Sequence, residues 1–308
     1  MGDAERMRIL VTGAGGYIGY AVARRLAAAG HEVDGLVRRG ADLPRGVRPV
    51  AGDLLGALPE GPYDGVCHLA ALTRVRASFD DPLAYYETNV GGTLALLRAV
   101  GRGGTRVVFG STAAVYGAPP GGGPIPETAG TAPASPYGAT KLAAEQMIRH
   151  HARTGAIGAA VLRTFNVSGS VDGRPDPDLT RLIPKALAVA AGHEPHLEIN
   201  GDGLAVREYL HVDDLADAYV RALRAVRPGE DRVYNVGTGA GAAVHEVVAT
   251  VERVTGRPVR ALRRPARPEP AELVCDAAAI RADLGWRASR ALPEIVADAW
   301  NALTRTND

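Results

Sequence analysis

Arg8-Ile9-Leu10-Val11-Thr12-Gly13-Ala14-Gly15-Gly16-Tyr17-Ile18-Gly19 is a short apolar run that empties into a glycine-rich turn. An amphipathic pattern follows from about Tyr20 to Ala29, and Gly30 suits its C-cap. Glu32 to Arg38 then reads as a second strand, so the chain opens as a βαβ unit. The glycines at 13, 16 and 19 permit a tight turn, close backbone approach to a pyrophosphate, and close helix–strand packing. The helix N-terminus behind them offers unpaired N–H groups to phosphate. In this setting the pattern predicts a dinucleotide site built on Gly13, Gly16, Tyr17, Ile18 and Gly19.

Further strands follow. Val50-Ala51-Gly52-Asp53-Leu54 closes one, and Asp53 can accept from an adenine amine or simply stabilise a turn. After the second strand the chain reads Val37-Arg38-Arg39, where an acid for a ribose 2′-hydroxyl might stand. The two arginines suit a 2′-phosphate, and so NADP, or are solvated loop cations. Gly65 to Ala71 reads as a buried strand whose end, Leu69-Ala70-Ala71, is small enough for a cofactor to approach the backbone. His68, flanked by apolar residues, reads as a core histidine. Asp81-Pro82 caps a helix from about Leu83 to Val100, on which Asn89 either ties a loop or a catalytic lysine into place or is a helix-surface amide.

Arg106 to Gly110 is the next strand, and Thr112 follows it. Ligands of open parallel sheets bind beyond the carboxyl ends of the strands, so this hydroxyl either relays a proton beside a substrate or is a turn threonine. A Gly- and Pro-rich loop leads to Ser135-Pro136-Tyr137-Gly138-Ala139-Thr140-Lys141. Tyr137 and Lys141 are four apart on a helix and share a face. Bringing a phenol from a pKa of about 10 to about 7 takes roughly 4 kcal/mol, part of which a neighbouring ammonium supplies. Ala159 to Arg163 is a further strand; after it the regular alternation breaks into loops, shorter strands and helices.

Composition narrows the function. In 308 residues, 35 Lys and Arg balance 34 Asp and Glu, with no basic stripe for nucleic acid. Cys67 and Cys275 stand in apolar runs, which indicates buried thiols, no disulfide framework and no metal site. No run is long enough to cross a bilayer, so a cytoplasmic enzyme is expected.

Taken in order, these motifs resemble the extended short-chain dehydrogenase/reductase family, and within it the UDP-glucose 4-epimerase group. The resemblance also covers Asn89-Val90-Gly91-Gly92-Thr93, Phe165-Asn166-Val167, Leu182-Ile183-Pro184, Val206 to Asp214 and Leu284-Gly285-Trp286. It implies an α/β fold: a Rossmann doubly wound parallel sheet over residues 1–166 and about 205–240, with a smaller mixed α/β substrate domain over 167–204 and 241–308. It implies Tyr137 as the base, Lys141 on the nicotinamide ribose, and Thr112 on the reacting hydroxyl. Arg38, Asp53, Leu54, Leu69, Ala70, Ala71 and Asn89 join the glycine turn around the cofactor. Thr73, Asn166 and Arg207 fall to the nucleotide sugar, Asn166 and Arg207 at its diphosphate. Arg267 and Glu269 occupy a loop where the family carries an Arg and an Asp, with the spacing one residue short.

Dehydratases of this family resemble one another in an Asp-Glu pair directly after the threonine. Ala113-Ala114 stand here instead, which speaks against elimination or decarboxylation. An epimerase retaining NAD and an NADPH-dependent ketoreductase remain, with the epimerase and NAD favoured by the resemblance. A non-catalytic nucleotide sensor is disfavoured because Thr112, Tyr137 and Lys141 are all present. Arg174 either meets a sugar carboxylate, as a UDP-glucuronate would offer, or is solvated. A homodimer through the helices Leu83–Val100 and Tyr137–Ala152 is expected from the family.

Overall fold

The protein is described from a computed structural model over residues 6–38, 40–59, 61–101, 103–119, 122–266 and 269–305. Arg39 and Arg267 therefore lie outside the described residues. The chain divides into two compact units. The first comprises residues up to Gly117, Ala129–Thr164 and Ala216–Tyr234; the second comprises Ala118–Thr128, Phe165–Leu215 and the residues from Asn235 on.

The first unit is built on β1 (Arg8–Thr12), β2 (Glu32–Val37), β3 (Val47–Ala51), β4 (Gly65–His68), β5 (Thr105–Thr112) and β6 (Ile157–Thr164). With Asp231–Val236 beyond β6, the sheet runs β6-β5-β4-β1-β2-β3. Every pair from β3 to β6 is parallel. The order reverses between β1 and β4, the switch point where ligands of such sheets bind. β6 is buried almost throughout, as expected of a strand covered on both faces. Leu10, Val66, Val107, Phe109 and Val161 of the sheet pack with Leu96, Leu97 and Ile148 from the helices. Each such side chain contributes about 1.5–3 kcal/mol on burial.

The first helix spans Tyr17–Ala28, three residues earlier than the sequence pattern suggests. Tyr17, Ile18 and Gly19 thus form its first turn, the positive end of the helix dipole. The expected helix from Leu83 to Val100 is instead Pro82–Tyr86, a π-type turn at Glu87–Gly91, and Gly92–Val100. Asp81 caps it, accepting from Ala84 N at 3.1 Å.

In the second unit, Val206–His211 pairs parallel with Asn166–Ser168 and Glu272–Leu273 and antiparallel with Gly241–Ala243. The return to the first unit comes at Ala216, later than the 205 expected, because these partners draw Val206–His211 into their own small sheet. Leu197–Asn200 pairs with Ala261–Arg264 in a separate two-stranded sheet. Ile183, Leu187, Tyr209, Val247, Val251, Ile295 and Val296 form the core. In Leu284-Gly285-Trp286, Gly285 ends a helix at φ 59°, and the buried Trp286 donates to Asp214 O at 3.0 Å.

Candidate active site

The glycine turn closes on itself and on the neighbouring strand. Gly13 has φ 71°, and its carbonyl accepts from Gly16 N at 2.9 Å. A Cβ at Gly13 would stand 2.9 Å from Ala70 N, and one at Gly19 only 2.0 Å from Gly13 O. Side chains are therefore shut out where β1 meets the helix. The rest of the expected cofactor set differs in character. Leu54 is buried beneath Gly92. Asp53 is a turn residue whose carboxylate accepts from Leu55 N at 2.9 Å. Arg38 is exposed directly after β2. Of the two acids on β2, Glu32 is exposed at its start and Asp34 lies mid-strand and buried, held by Arg8, Arg48 and Tyr63.

Thr112 is the last residue of β5 and caps the short 3-10 turn Ala113–Val115, accepting from Ala114 N at 3.2 Å. Its own proton remains to donate. Tyr137 and Lys141 lie on the helix Pro136–Arg153, which starts there because Pro136 occupies its first turn and Ser135 accepts from Gly138 N at 3.1 Å. Both side chains are buried. The Lys141 ammonium sits 4.1 Å from the centre of the Phe109 ring, and among the described residues no carboxylate forms an ion pair with it. Burial pushes Lys141 down to about 7, with Glu145 opposing.

Behind these groups runs a hydrogen-bonded chain that reaches from the glycine turn to the Tyr137 helix. Thr12 Oγ1 accepts from Leu69 N and Ala70 N, both at 3.1 Å, so its proton goes to His68 Nδ1 at 2.7 Å. His68 Nε2 then donates to Thr93 Oγ1 at 2.9 Å, and the Thr93 hydroxyl donates to Asn89 O at 2.6 Å. This donor count assigns His68 as neutral with its proton on Nε2. Burial, with Lys141 adding to it, pushes the imidazole down to about 3. Asn89 holds both backbone groups of Leu72, accepting at 2.8 Å and donating at 3.0 Å, and so anchors the segment that carries the exposed Thr73. Its amide also donates to Thr140 Oγ1 at 3.0 Å, beside Lys141. Asn89 is thus bonded both to the loop after β4 and to the helix that carries Lys141.

A buried charge cluster escaped the sequence reading. Arg163 at the end of β6 grips both carboxylate oxygens of Glu145, through Nε at 3.2 Å and Nη2 at 2.8 Å. Ser111 donates to the same carboxylate, and Arg163 donates to the Tyr116 hydroxyl at 3.0 Å. The available signal was an arginine ending an otherwise apolar strand.

In the second unit, Asn166 and Arg207 lie on adjacent strands, and Asn166 Nδ2 donates to Glu208 O at 3.0 Å. Arg207 pairs with Glu269 at 2.8 Å, which brings together two of the expected substrate residues. Glu208 points the other way: buried, it accepts from Gly239 N at 2.9 Å and Cys275 N at 2.7 Å. Arg174 sits in a two-residue strand paired with Ser170–Val171. Arg181, also a cation near that loop, is held by Asp176 at 2.8 Å.

The profile of the NAD dependent epimerase/dehydratase family matches residues 9–237. The chain belongs to this family. Among its members, a UDP-glucose 4-epimerase of Streptomyces lividans is 42% identical over 318 residues, covering 95% of each chain. Of the solved family structures, UDP-glucose 4-epimerase from Stenotrophomonas maltophila, with bound NAD and formylated UDP-arabinopyranose, superposes with a TM-score of 0.87. It is 32% identical, over 98% of this chain and 99% of the other. UDP-glucose 4-epimerase from Bifidobacterium longum in complex with NAD+ and UDP gives 0.87 at 30% identity, over 97% and 99%. The family match starts within β1 and ends just past the strand Asp231–Val236, so it reaches all seven strands of the sheet.

Proposed function

We propose that the protein is a UDP-sugar 4-epimerase that oxidises its substrate transiently at C4 with NAD held in the first unit. One observation carries the reading: Thr112, Tyr137 and Lys141 occur in the glycine-turn unit with Ala113 and Ala114, not acids, after the threonine. The names of the relatives support it. The residues fit the dinucleotide. Gly13 and Gly19 let the turn close tightly on itself and on Ala70, directly before a helix N-terminus of the kind that suits a pyrophosphate. The buried Lys141 ammonium has no carboxylate partner among the described residues, so ribose hydroxyls suit it and would favour its charged form.

Bound NAD supplies a reversible two-electron acceptor for the hydrogen at the carbinol carbon. Tyr137, as phenolate, takes the C4 hydroxyl proton and later returns one to the same oxygen. Thr112 holds that oxygen by its hydroxyl. Lys141 supplies the positive charge that favours the phenolate. In the second unit, Asn166 and Arg207 hold the diphosphate, Arg207 exchanging Glu269 for phosphate oxygens. Holding the diphosphate while the flat keto-sugar turns lets either face of C4 be presented.

A second reading, an NADPH-dependent 4-ketoreductase, rests on exposed Arg38 and the lack of an acid directly after β2. Purification without added cofactor separates the two. Retained NAD, with interconversion of UDP-glucose and its C4 epimer, is expected; an empty site that consumes NADPH would sink the epimerase reading. Tyr137→Phe should lower turnover by about 10²–10⁴ while UDP binding persists, and full activity would remove Tyr137 as the base. UDP-glucuronate assayed beside UDP-glucose, with Arg174→Ala, tests whether that arginine meets a sugar carboxylate; an unchanged preference removes the idea.

We also propose a homodimer. Phe79, Leu83, Tyr86 and Leu94 are 60%, 77%, 44% and 38% exposed on the helical stretch after β4, an apolar surface that a second copy would cover. Leu83→Glu should sediment as a monomer if this face is the interface; an unaltered dimer would place it elsewhere. Both cysteines are free and buried, which fits a reducing cytoplasm.

A further inference from the structure

Lys141 and Glu145 are four residues apart on one helix, close enough for the carboxylate to reach the ammonium. They form no ion pair. Both Glu145 oxygens are engaged by Arg163, and Ser111 donates to one of them. The cluster is closed, since the side chains of Arg163 and Glu145 are 5% and 0% exposed and Tyr116 takes another guanidinium N–H. Lys141 stays over the Phe109 ring instead.

We infer that Arg163 is a positioning residue which neutralises Glu145 and so reserves the Lys141 charge for Tyr137 and the cofactor ribose. This rests on the epimerase reading above. The other titratable groups around the pair are accounted for. His68 on β4 is neutral through its bonds to Thr12 and Thr93. Tyr116, after β5, bonds Arg163, and Tyr85, on the helix Pro82–Tyr86, donates to Arg74 O. Tyr219, from the helix Val212–Ala225, is buried and acts on Tyr137 only as a neutral phenol. Arg163 is thus the group that balances the Glu145 carboxylate. Without it, Glu145 presents an unopposed negative charge to Lys141, the ammonium pairs with it, and the phenolate of Tyr137 loses support.

The test is the titration of Tyr137, read as tyrosinate absorbance in difference spectra against Tyr137→Phe and as the acid limb of kcat. Arg163→Gln should move both upward by about one pH unit, with turnover at neutral pH down about tenfold. Glu145→Gln/Arg163→Gln removes both charges and should return the limb to its parental position. Arg163→Lys keeps a cation that cannot grip both oxygens, and it should shift the limb upward by less. An unshifted limb in Arg163→Gln, or in Arg163→Lys if the glutamine variant does not fold, overturns the inference. So does a double variant shifted as far as the single one. A parent that fails to convert any UDP-sugar sinks the epimerase reading instead, and the tyrosinate titration still reports on Arg163.

Discussion

Asn89 Nδ2 donates to Thr140 Oγ1 across 3.0 Å, and that bond joins the helical stretch before β5 to the helix bearing Tyr137 and Lys141. The same side chain closes both backbone groups of Leu72. One amide therefore sets the relation of the loop after β4 to the helix of the candidate base.

Asn89→Ala removes the partner of Leu72 N and Leu72 O, which are partly buried, and of the buried Thr140 hydroxyl. The expected cost is about 2 kcal/mol or more of stability, with kcat down roughly tenfold from the displaced helix. Asn89→Asp keeps the acceptor for Leu72 N but loses both donations, so it should fall between parent and alanine variant. Urea melts paired with turnover check this, and an alanine variant that melts like the parent would remove Asn89 from the positioning role.

Gly19→Ala places a Cβ 2.0 Å from Gly13 O, so the turn must open. NAD affinity should fall at least tenfold, about 1.4 kcal/mol. Gly16→Ala, with a Cβ 3.2 Å from the same oxygen, should weaken binding less. Calorimetric titration of the stripped protein with NAD gives the comparison, and equal losses in both variants would argue against the steric cause.

Lys141 stands at about 7 in the folded chain against an ordinary 10.5. Between those values the unfolded chain holds a proton that the folded chain has released, so stability rises with pH across the window. At and below about pH 7 the cost of burying the ammonium is fully present. Lys141→Met removes that cost. Free of nucleotide, it should melt several degrees above the parent near neutrality, with the gain fading toward about pH 10. A gain that does not change with pH would assign the effect to packing.

The parts of this protein that local sequence determines were the parts that could be read. The glycine turn, the strand end at Thr12 and the helix that carries Tyr137 and Lys141 depend on neighbours a few positions away. The Arg163–Glu145 pair spans 18 residues and the Thr12–His68 bond 56, and nothing in either stretch alone announces the other. Val206–His211 shows the same difficulty in a strand. Its short strand-like run suits either sheet, and only its pairing with Asn166–Ser168 and Gly241–Ala243 assigns it to the second unit.

The π-type turn at Glu87–Gly91, closed by Gly92 N on Glu87 O, carries one residue more than an α-helical turn would need. Removing a single residue there would yield a smooth helix of ordinary composition. It would also swing every side chain on one flank by about 100° relative to the other and take Asn89 away from Thr140. The segment is thus one where point changes at exposed positions are absorbed but the chain cannot be shortened, and a deletion scan would pick it out as a gap in an otherwise tolerant helix.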